Sequence, residues 1–211
     1  TRHDVGNKLS TISIYSYLLK QKYADQTDII EKLDKVERAV EASKEILEFA
    51  QMYEQLGVEE QKFVNVEKAF NEAAAFFSGL TFKVANNCQG LTVLADSFLT
   101  KLFYNFIENA EKYGKKITTI KLHYEKTDQD NLKLIYEDDG VGISAENKSK
   151  LFSKGFSTGN STGYGLFLSK KMMDIYGWTI TEDGEAGKGA KFTITIPIHD
   201  KSGKENFRIE Q

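Results

Sequence analysis

Cysteine, charge imbalance and long apolar runs are all scarce in this 211-residue sequence, and each scarcity excludes a class of protein. The single cysteine, Cys88, cannot form an intramolecular disulfide, so we expect a reducing compartment and no cysteine metal site. The formal net charge is only -3, with acidic and basic residues mixed along the chain, which argues against a nucleic-acid-binding protein. No apolar run is long enough to cross a bilayer and no signal peptide precedes Thr1, so we expect a chain that is soluble as given.

A heptad pattern dominates the first 57 residues. Apolar or small residues recur at alternating steps of four and three, which predicts a helix over about residues 1–23 and a second helix ending near Gly57. Thr27 or Asp28 is the predicted cap of the second helix. The seam positions are Val5, Leu9, Ile12, Ser16, Leu19 and Tyr23, then Ile29, Leu33, Val36, Val40, Ser43, Leu47 and Ala50. A lone hairpin leaves apolar surface in water, so we expect a dimer with a four-helix bundle, the alternative being a simple coiled-coil spacer.

The pattern changes after the polar stretch from Gly57 to Lys62, which we interpret as a domain boundary. Residues 63–198 mix both periods and predict strands at 63–66, 81–85, 91–94, 117–125, 132–137, 178–182 and 190–198, with helices at 67–78, 102–113 and 164–176. The long stretch at 144–163 predicts a lid or binding loop. The tail, 199–211, is polar and expected to fray, although Phe207 and Ile209 could dock. The predicted class is therefore α+β, a helical hairpin over 1–57 followed by an α/β sandwich over 63–198.

The helix at 102–113 carries an unusual polar row. Asn105, Asn109 and Lys112 fall at i, i+4 and i+7, so two amides and an ammonium share one face. Amide oxygens suit a magnesium ion that is already bound to phosphates, because the phosphates supply the anionic ligands. Taken alone, the row is equally consistent with a polar stripe on a surface helix.

Three glycine-rich segments follow. Asp138-Asp139-Gly140-Val141-Gly142-Ile143 ends a strand, where a carboxylate could accept a hydrogen bond from an adenine amino group, although Asp and Gly also make ordinary turns. Gly163-Tyr164-Gly165-Leu166 opens a helix, whose free amides could hold phosphate. The third segment, Gly184 to Gly189, is interpreted as a hairpin turn only.

In this order and spacing the motifs resemble the ATP-binding domain of sensor histidine kinases, a Bergerat-type sandwich shared with type II topoisomerases, mismatch-repair ATPases and a heat-shock chaperone. Residues 105–113 resemble the N box, which implies Asn109 as a magnesium ligand helped by Asn105, Lys112 at the phosphates and Tyr113 near the nucleotide. Residues 138–142 resemble the first glycine box, in which Asp138 would read adenine. Residues 151–156 resemble the F box of the ATP lid, and residues 163–166 the second glycine box. The resemblance therefore implies ATP and Mg2+ as cofactors, with the glycine-box residues Gly140, Gly142, Ile143, Gly163, Tyr164, Gly165 and Leu166 at the nucleotide.

The start of the chain, His3-Asp4-Val5-Gly6-Asn7-Lys8-Leu9, resembles the H box of the same kinases. The resemblance implies that His3 is the phosphoacceptor. Asp4 would accept a hydrogen bond from the other ring nitrogen, and Asn7 would serve a phosphatase step on a regulator. The proline that often follows this histidine is missing, which leaves the subfamily open.

On this resemblance the chain is a kinase core that pairs as a homodimer and passes phosphate to the receiver domain of a response regulator. We expect it to be cytoplasmic, with the full-length protein anchored at a membrane only through a missing N-terminal sensor region. No nucleic-acid partner is expected. Two rival hypotheses are a superfamily ATPase that hydrolyses ATP to drive a clamp and a non-catalytic nucleotide-binding scaffold.

Overall fold

The computed structural model describes residues 1–77, 79, 82–127, 131–159, 161–200 and 202–210. They form two compact units: Thr1–Gln55 with Gly155–Tyr164, and Leu56–Lys154 with Gly165–Gln211. We call these the helical unit and the sandwich unit. The predicted α+β class is confirmed, and so is the N-terminal hairpin. The sequence did not anticipate that residues 155–164 belong with the helices.

The helical unit contains two long helices, α1 (Arg2–Lys22) and α2 (Thr27–Gln55). The turn between them closes through a hydrogen bond from the Gln26 amide to the Tyr23 carbonyl, 2.9 Å long. The predicted cap is wrong by one residue, because Thr27 is already helical and the Ile30 amide bonds to the Gln26 carbonyl. None of the described helices has the length and apolar character needed to cross a membrane.

The predicted heptad seam splits into two faces. The α1 face toward α2 is small and polar: it buries Ser16, and Lys20 lies 2.5 Å from both Asp34 and Glu37. Val40 is buried on α2. Four other seam residues, Val5, Ile12, Leu19 and Val36, remain 40–46% exposed, and we call them the apolar stripe. The predicted seam residues therefore divide between a buried face and the exposed apolar stripe.

The sandwich unit contains eight strands and four helices in its described part. They are β1 (Lys62–Asn65), α3 (Val66–Ala75), β2 (Lys83–Asn87), β3 (Leu91–Ala95), α4 (Phe98–Tyr113), β4 (Thr119–Lys126), β5 (Leu132–Asp138), α5 (Ala145–Lys148), α6 (Gly165–Tyr176), β6 (Thr179–Glu182), β7 (Lys191–Ile196) and β8 (Phe207–Ile209). The short helix α5 interrupts the stretch predicted to be only a loop. Some predicted positions lie outside the described residues, namely Ser78, Thr81, residues 128–130 of the predicted turn and Asn160.

Two sheets build the sandwich unit. The larger has the order β2-β4-β5-β7-β6, in which only β2 and β4 run parallel, and the smaller has the order β1-β3-β8. Alternate residues of β4, β5 and β7 are apolar and buried, as expected for a sheet with one covered face. Phe106 of α4 stacks on Phe192 of β7 with ring centroids 4.7 Å apart, and Phe70 of α3 meets Tyr136 of β5 edge to face. The first contact fixes α4, the predicted nucleotide helix, against the sheet, and the second fixes α3.

The expectation of a frayed tail is wrong for residues 206–209. Strand β8 pairs antiparallel with β3, and Asn206 is buried, with its amide nitrogen 2.9 Å from the Pro197 carbonyl oxygen. Phe207 and Ile209, which the sequence offered only as docking candidates, form the ends of this strand. The polar composition of the tail concealed a three-residue edge strand.

The third glycine segment does more than turn a hairpin, because it packs directly on the first. A Cβ atom on Gly189 would lie 1.8 Å from the Asp138 carbonyl oxygen, and one on Gly142 would lie 2.6 Å from the Glu185 carbonyl oxygen. The Gly187 amide also donates to the Val141 carbonyl oxygen at 2.7 Å. The loops that flank β5 and β7 are therefore held at backbone contact distance, which only glycine permits.

Gly189→Ala should destabilise the sandwich unit far more than Gly187→Ala. Both glycines have positive φ, so both variants share a backbone penalty of about 1–2 kcal/mol. Only the Gly189 variant meets backbone, whereas a Cβ on Gly187 has nothing within 4 Å. We expect it to lose roughly 3 kcal/mol more of unfolding free energy. Trp178, the only tryptophan, is buried in this unit and can report denaturant unfolding by fluorescence. Equal losses in the two variants would show that the close contact is not required.

Candidate active site

Asp138, the last residue of β5, holds the position from which a purine amino group could be recognised. Its Oδ1 atom accepts hydrogen bonds from the Gly140 amide at 3.0 Å and from the Ala190 amide at 3.1 Å. In the described part of the chain its Oδ2 atom has no hydrogen-bond partner and is not among the buried unpaired atoms. Burial raises the pKa of this carboxyl, and the two amide hydrogen bonds oppose the rise. The side chain is therefore fixed through one oxygen and presents the other as an acceptor.

The neighbouring residue, Asp139, binds the protein backbone rather than facing a ligand, which the sequence did not predict. Its Oδ1 atom accepts from the Thr118 and Thr119 amides at 2.8 and 3.0 Å, and its Oδ2 atom accepts from the Thr118 hydroxyl. Burial acts to raise the pKa of Asp139, but these hydrogen bonds outweigh it and the pKa lies below its ordinary value. Asp139 thus fastens the start of β4 to the end of β5, and Asp138 is left free for a ligand.

The first glycine loop also touches the end of α4. A Cβ atom on Gly140 would lie 2.9 Å from Gly114, and the Val141 amide donates to the Gly114 carbonyl oxygen at 3.3 Å. Gly114 directly follows the half-buried Tyr113, and Ile143 is half-buried just after the loop. The contact places the C-terminal end of the nucleotide helix beside the Asp138 loop, as the resemblance implies.

The three polar residues of α4 have unequal surroundings. Asn105 is 4% exposed and donates through its amide nitrogen to the Gly165 carbonyl oxygen (3.2 Å) and the Ser169 hydroxyl oxygen (3.4 Å) of α6. Asn109 is half-buried, and its amide makes no hydrogen bond within the described part of the chain. Lys112 lies 3.2 Å from the carboxylate of Glu108, one turn earlier. The lysine charge is therefore paired, which the polar row did not predict.

The two halves of the second glycine segment fall into different units. Gly165 and Leu166 begin α6 in the sandwich unit, whereas Gly163 and Tyr164 belong to the helical unit. There the Tyr164 ring stacks on Phe49 of α2, with centroids 4.2 Å apart. Just before it, the Thr162 amide and hydroxyl donate to Glu45 of α2 at 3.2 and 2.7 Å. Glu45 and Phe49 were not predicted as site residues, and no local motif could have identified them.

The available metal donors are neutral amides. The described residues contain no group of three or more His, Cys, Asp or Glu side chains arranged to hold an ion. The amide oxygens of Asn105 and Asn109 are the oxygen donors on the ligand side of α4. Such a set fits a hard cation that receives its anionic ligands from phosphates, and it does not fit a metal held by the protein alone.

The three H-box residues lie together on the first turns of α1. The His3 ring is 81% exposed, with Nδ1 3.7 Å from the Asp4 carboxylate and 3.3 Å from the Asn7 amide nitrogen. The Thr1 hydroxyl donates to Asp4 and lowers the pKa of its carboxyl, so Asp4 is ionised near neutral pH. The Asp4 carboxylate can accept a hydrogen bond only from a protonated Nδ1, and the Asn7 amide nitrogen can donate only to an unprotonated Nδ1, so the two contacts belong to different tautomers of the ring. The Nε2 atom of the ring is left exposed to solvent.

Half of the chain, residues 95–200, matches the family described as histidine kinase-, DNA gyrase B-, and HSP90-like ATPase. The probable C4-dicarboxylate sensor kinase of Bacillus subtilis is 38% identical over 103 residues, which cover 46% of this chain and 19% of that protein. The sensor protein CiaH of Streptococcus pneumoniae is 29% identical over 150 residues, which cover 68% of this chain and 34% of that protein. The chain thus spans about a third or less of the length of these two relatives.

A solved structure shares the fold over nearly the whole chain. The crystal structure of full-length ShkA in complex with AMPPNP aligns with a TM-score of 0.66 at 20% identity, covering 93% of this chain and 44% of that one. The family match covers α4, both glycine loops that flank Asp138 and the start of α6, which are the elements whose geometry is described above. The chain therefore belongs to the histidine kinase-, DNA gyrase B- and HSP90-like ATPase family.

Proposed function

We propose that this chain is the kinase core of a two-component sensor, which transfers the γ-phosphoryl group of ATP to His3 and then to an aspartate of a response-regulator receiver domain. The observation that carries the proposal is the His3 ring, which is 81% exposed and has the Asp4 carboxylate beside its Nδ1 atom. An ATPase without a protein acceptor would need no such arrangement. We place this core in the cytoplasm, the compartment that a single buried cysteine favours.

The nucleophile of the proposed reaction is the Nε2 lone pair of a neutral His3. It attacks the γ-phosphorus, the bond from that phosphorus to the β,γ-bridging oxygen breaks, and ADP leaves with the electron pair. The ring becomes positively charged as the new bond forms; the ionised Asp4 carboxylate stabilises this charge through a hydrogen bond from Nδ1–H and then accepts that proton. The present 3.7 Å separation has to shorten to hydrogen-bond length, which rotation of two exposed side chains achieves.

Adenine recognition is assigned to the free Oδ2 atom of Asp138, which would accept a hydrogen bond from the purine amino group. Asn109, with Asn105, would hold magnesium, which when bound neutralises charge on the phosphates. Lys112 would bind the same phosphates after it breaks its ion pair with Glu108. That ion pair is partly exposed and therefore weak. Gly165 and Leu166, at the start of α6, would supply backbone amides to the phosphates.

His3→Gln should abolish phosphorylation of the chain without changing its ATP affinity. The substitution removes the nucleophile, and the Asp138 site lies in the other unit. The experiment incubates the full chain with Mg2+ and γ-labelled ATP and measures label that is stable in base and lost in acid. Calorimetric titration with ATP on the same samples confirms that the nucleotide site is intact.

The outcomes separate the rival functions. Label retained by the His3 variant at the parent level would show that the acceptor lies elsewhere. Steady ADP release from the parent without any protein label would instead favour the superfamily ATPase. ATP binding without either reaction would favour a non-catalytic scaffold.

The apolar stripe supports a homodimer as the working form of this core. Val5, Ile12 and Leu19 are spaced by seven residues on α1, about 60° around the helix from Ser16 and Lys20 on the face toward α2. Each helix of a four-helix bundle needs two adjacent faces, one for each neighbouring helix. Burying such side chains against a second chain would contribute about 1.5–3 kcal/mol for each one that becomes fully buried.

The double variant Ile12→Lys/Leu19→Lys should therefore be monomeric at micromolar concentration, where the parent is dimeric in light scattering. The matched control is Ile14→Lys/Leu18→Lys, because both residues are also exposed and apolar but lie on the opposite side of α1. The control should stay dimeric. Dissociation of both variants to the same extent would mean that the stripe is not the interface.

A further inference from the structure

Two buried polar side chains meet between α4 and α6, and the proposed mechanism uses only one of them. Asn105 is 4% exposed and Ser169 is completely buried. A buried polar group that lacks a hydrogen-bond partner is costly, so each hydrogen of this pair has to be accounted for. Ser169 belongs to no glycine or N-box motif in the sequence.

The hydrogen bonds of the pair settle which end of the Asn105 amide faces α6. The Gly165 carbonyl can only accept, so the amide atom 3.2 Å from it must be the nitrogen. The second hydrogen of that nitrogen is directed at the Ser169 hydroxyl oxygen, 3.4 Å away. The Ser169 hydroxyl in turn donates to the same Gly165 carbonyl at 3.0 Å. Both amide hydrogens are thus used, and the serine accepts one bond while it donates another.

This arrangement leaves the Asn105 oxygen as the group available to a ligand. Among the described residues its Oδ1 atom has no hydrogen-bond partner, and it is not one of the buried unpaired atoms, so it keeps access to solvent. An amide oxygen can ligate a cation, whereas an amide nitrogen cannot. The direction of the amide therefore decides whether Asn105 can serve a metal at all.

We infer that Ser169 is a positioning residue for magnesium, which fixes the Asn105 amide with its oxygen toward the ligand and ties it to Gly165 at the start of α6. The inference rests on the proposed function, in which Asn105 helps Asn109 to hold the ion. Ser169 itself touches neither nucleotide nor metal. Its removal leaves one Asn105 hydrogen unpaired and leaves the amide held by the Gly165 carbonyl alone.

Ser169→Ala should raise the Mg2+ concentration required for half-maximal ATP binding by about tenfold, while ATP affinity in EDTA stays at the parent value. Calorimetric titrations of the full chain with ATP at a series of Mg2+ concentrations measure both quantities. Ser169→Cys keeps a similar volume with a weak acceptor and should shift in the same direction. Ser16→Ala is the matched control, because Ser16 is also a buried helical serine but lies in the helical unit.

A purely structural role for Ser169 would lower ATP affinity equally with and without Mg2+, and that result would overturn the inference. An unchanged Mg2+ dependence in the alanine variant would overturn it as well. If the parent binds ATP with no Mg2+ dependence, the inference and the magnesium part of the proposed function both fail, whereas ATP binding stands.

A second measurement needs no ligand. The side-chain amide protons of Asn105 should exchange slowly with water in the nucleotide-free parent, because both are hydrogen-bonded, and should exchange rapidly in Ser169→Ala. Nuclear magnetic resonance on selectively labelled chain can resolve the two signals. Equal exchange in both proteins would contradict the proposed positioning role of Ser169, even if ATP and Mg2+ bind normally.

Discussion

The hydrogen bonds that hold the Asp138 carboxylate impose most of the geometry of the sandwich unit. One carboxylate oxygen takes amides from two separate loops, after Asp138 itself and before β7, so both loops must converge on the end of β5. That convergence brings backbone against backbone, which is why Gly142 and Gly189 cannot carry side chains. The end of α4 joins the same cluster through Gly114, so the strand end, two loops and the nucleotide helix form one structure.

In this cluster, one of two neighbouring polar residues stabilises the fold while the other stays available to a ligand. Asp139 accepts hydrogen bonds from the start of β4, whereas Asp138 keeps one carboxylate oxygen free. On α4 the same division recurs, because the buried Asn105 is tied to α6 while the half-buried Asn109 makes no bond within the described residues. Each group that is available to a ligand therefore lies beside residues that are held in place by hydrogen bonds. Such a site does not have to rearrange its side chains when the ligand binds.

The sequence predicted those features that depend on local pattern. Periodicity located α1, α2, α4 and α6, and the strand-ending aspartate and glycines marked the loop that follows β5. The ion pair of Glu108 with Lys112 was not predicted, but the sequence contains the signal for it, because residues four apart on a helix are neighbours.

Other features depend on the fold and left no local signal. A heptad count cannot separate two adjacent faces of a helix, so the buried Ser16 and the exposed Ile12, four residues apart, fell into one seam. The contacts of Thr162 with Glu45 and of Asn105 with Ser169 join residues 117 and 64 positions apart. The tail was misjudged because its three paired residues are outnumbered by polar ones. A short edge strand gains its stability from the sheet it joins rather than from its own composition.

The central claim is that the free oxygen of Asp138 recognises the adenine amino group, and nucleotide preference tests it most directly. GTP carries a carbonyl oxygen where ATP carries that amino group, so it would face the carboxylate with an acceptor instead of a donor. Calorimetric titration of the full chain with each nucleotide in Mg2+ should show ATP binding about 100-fold or more tightly than GTP. Equal affinities for the two nucleotides would contradict the account.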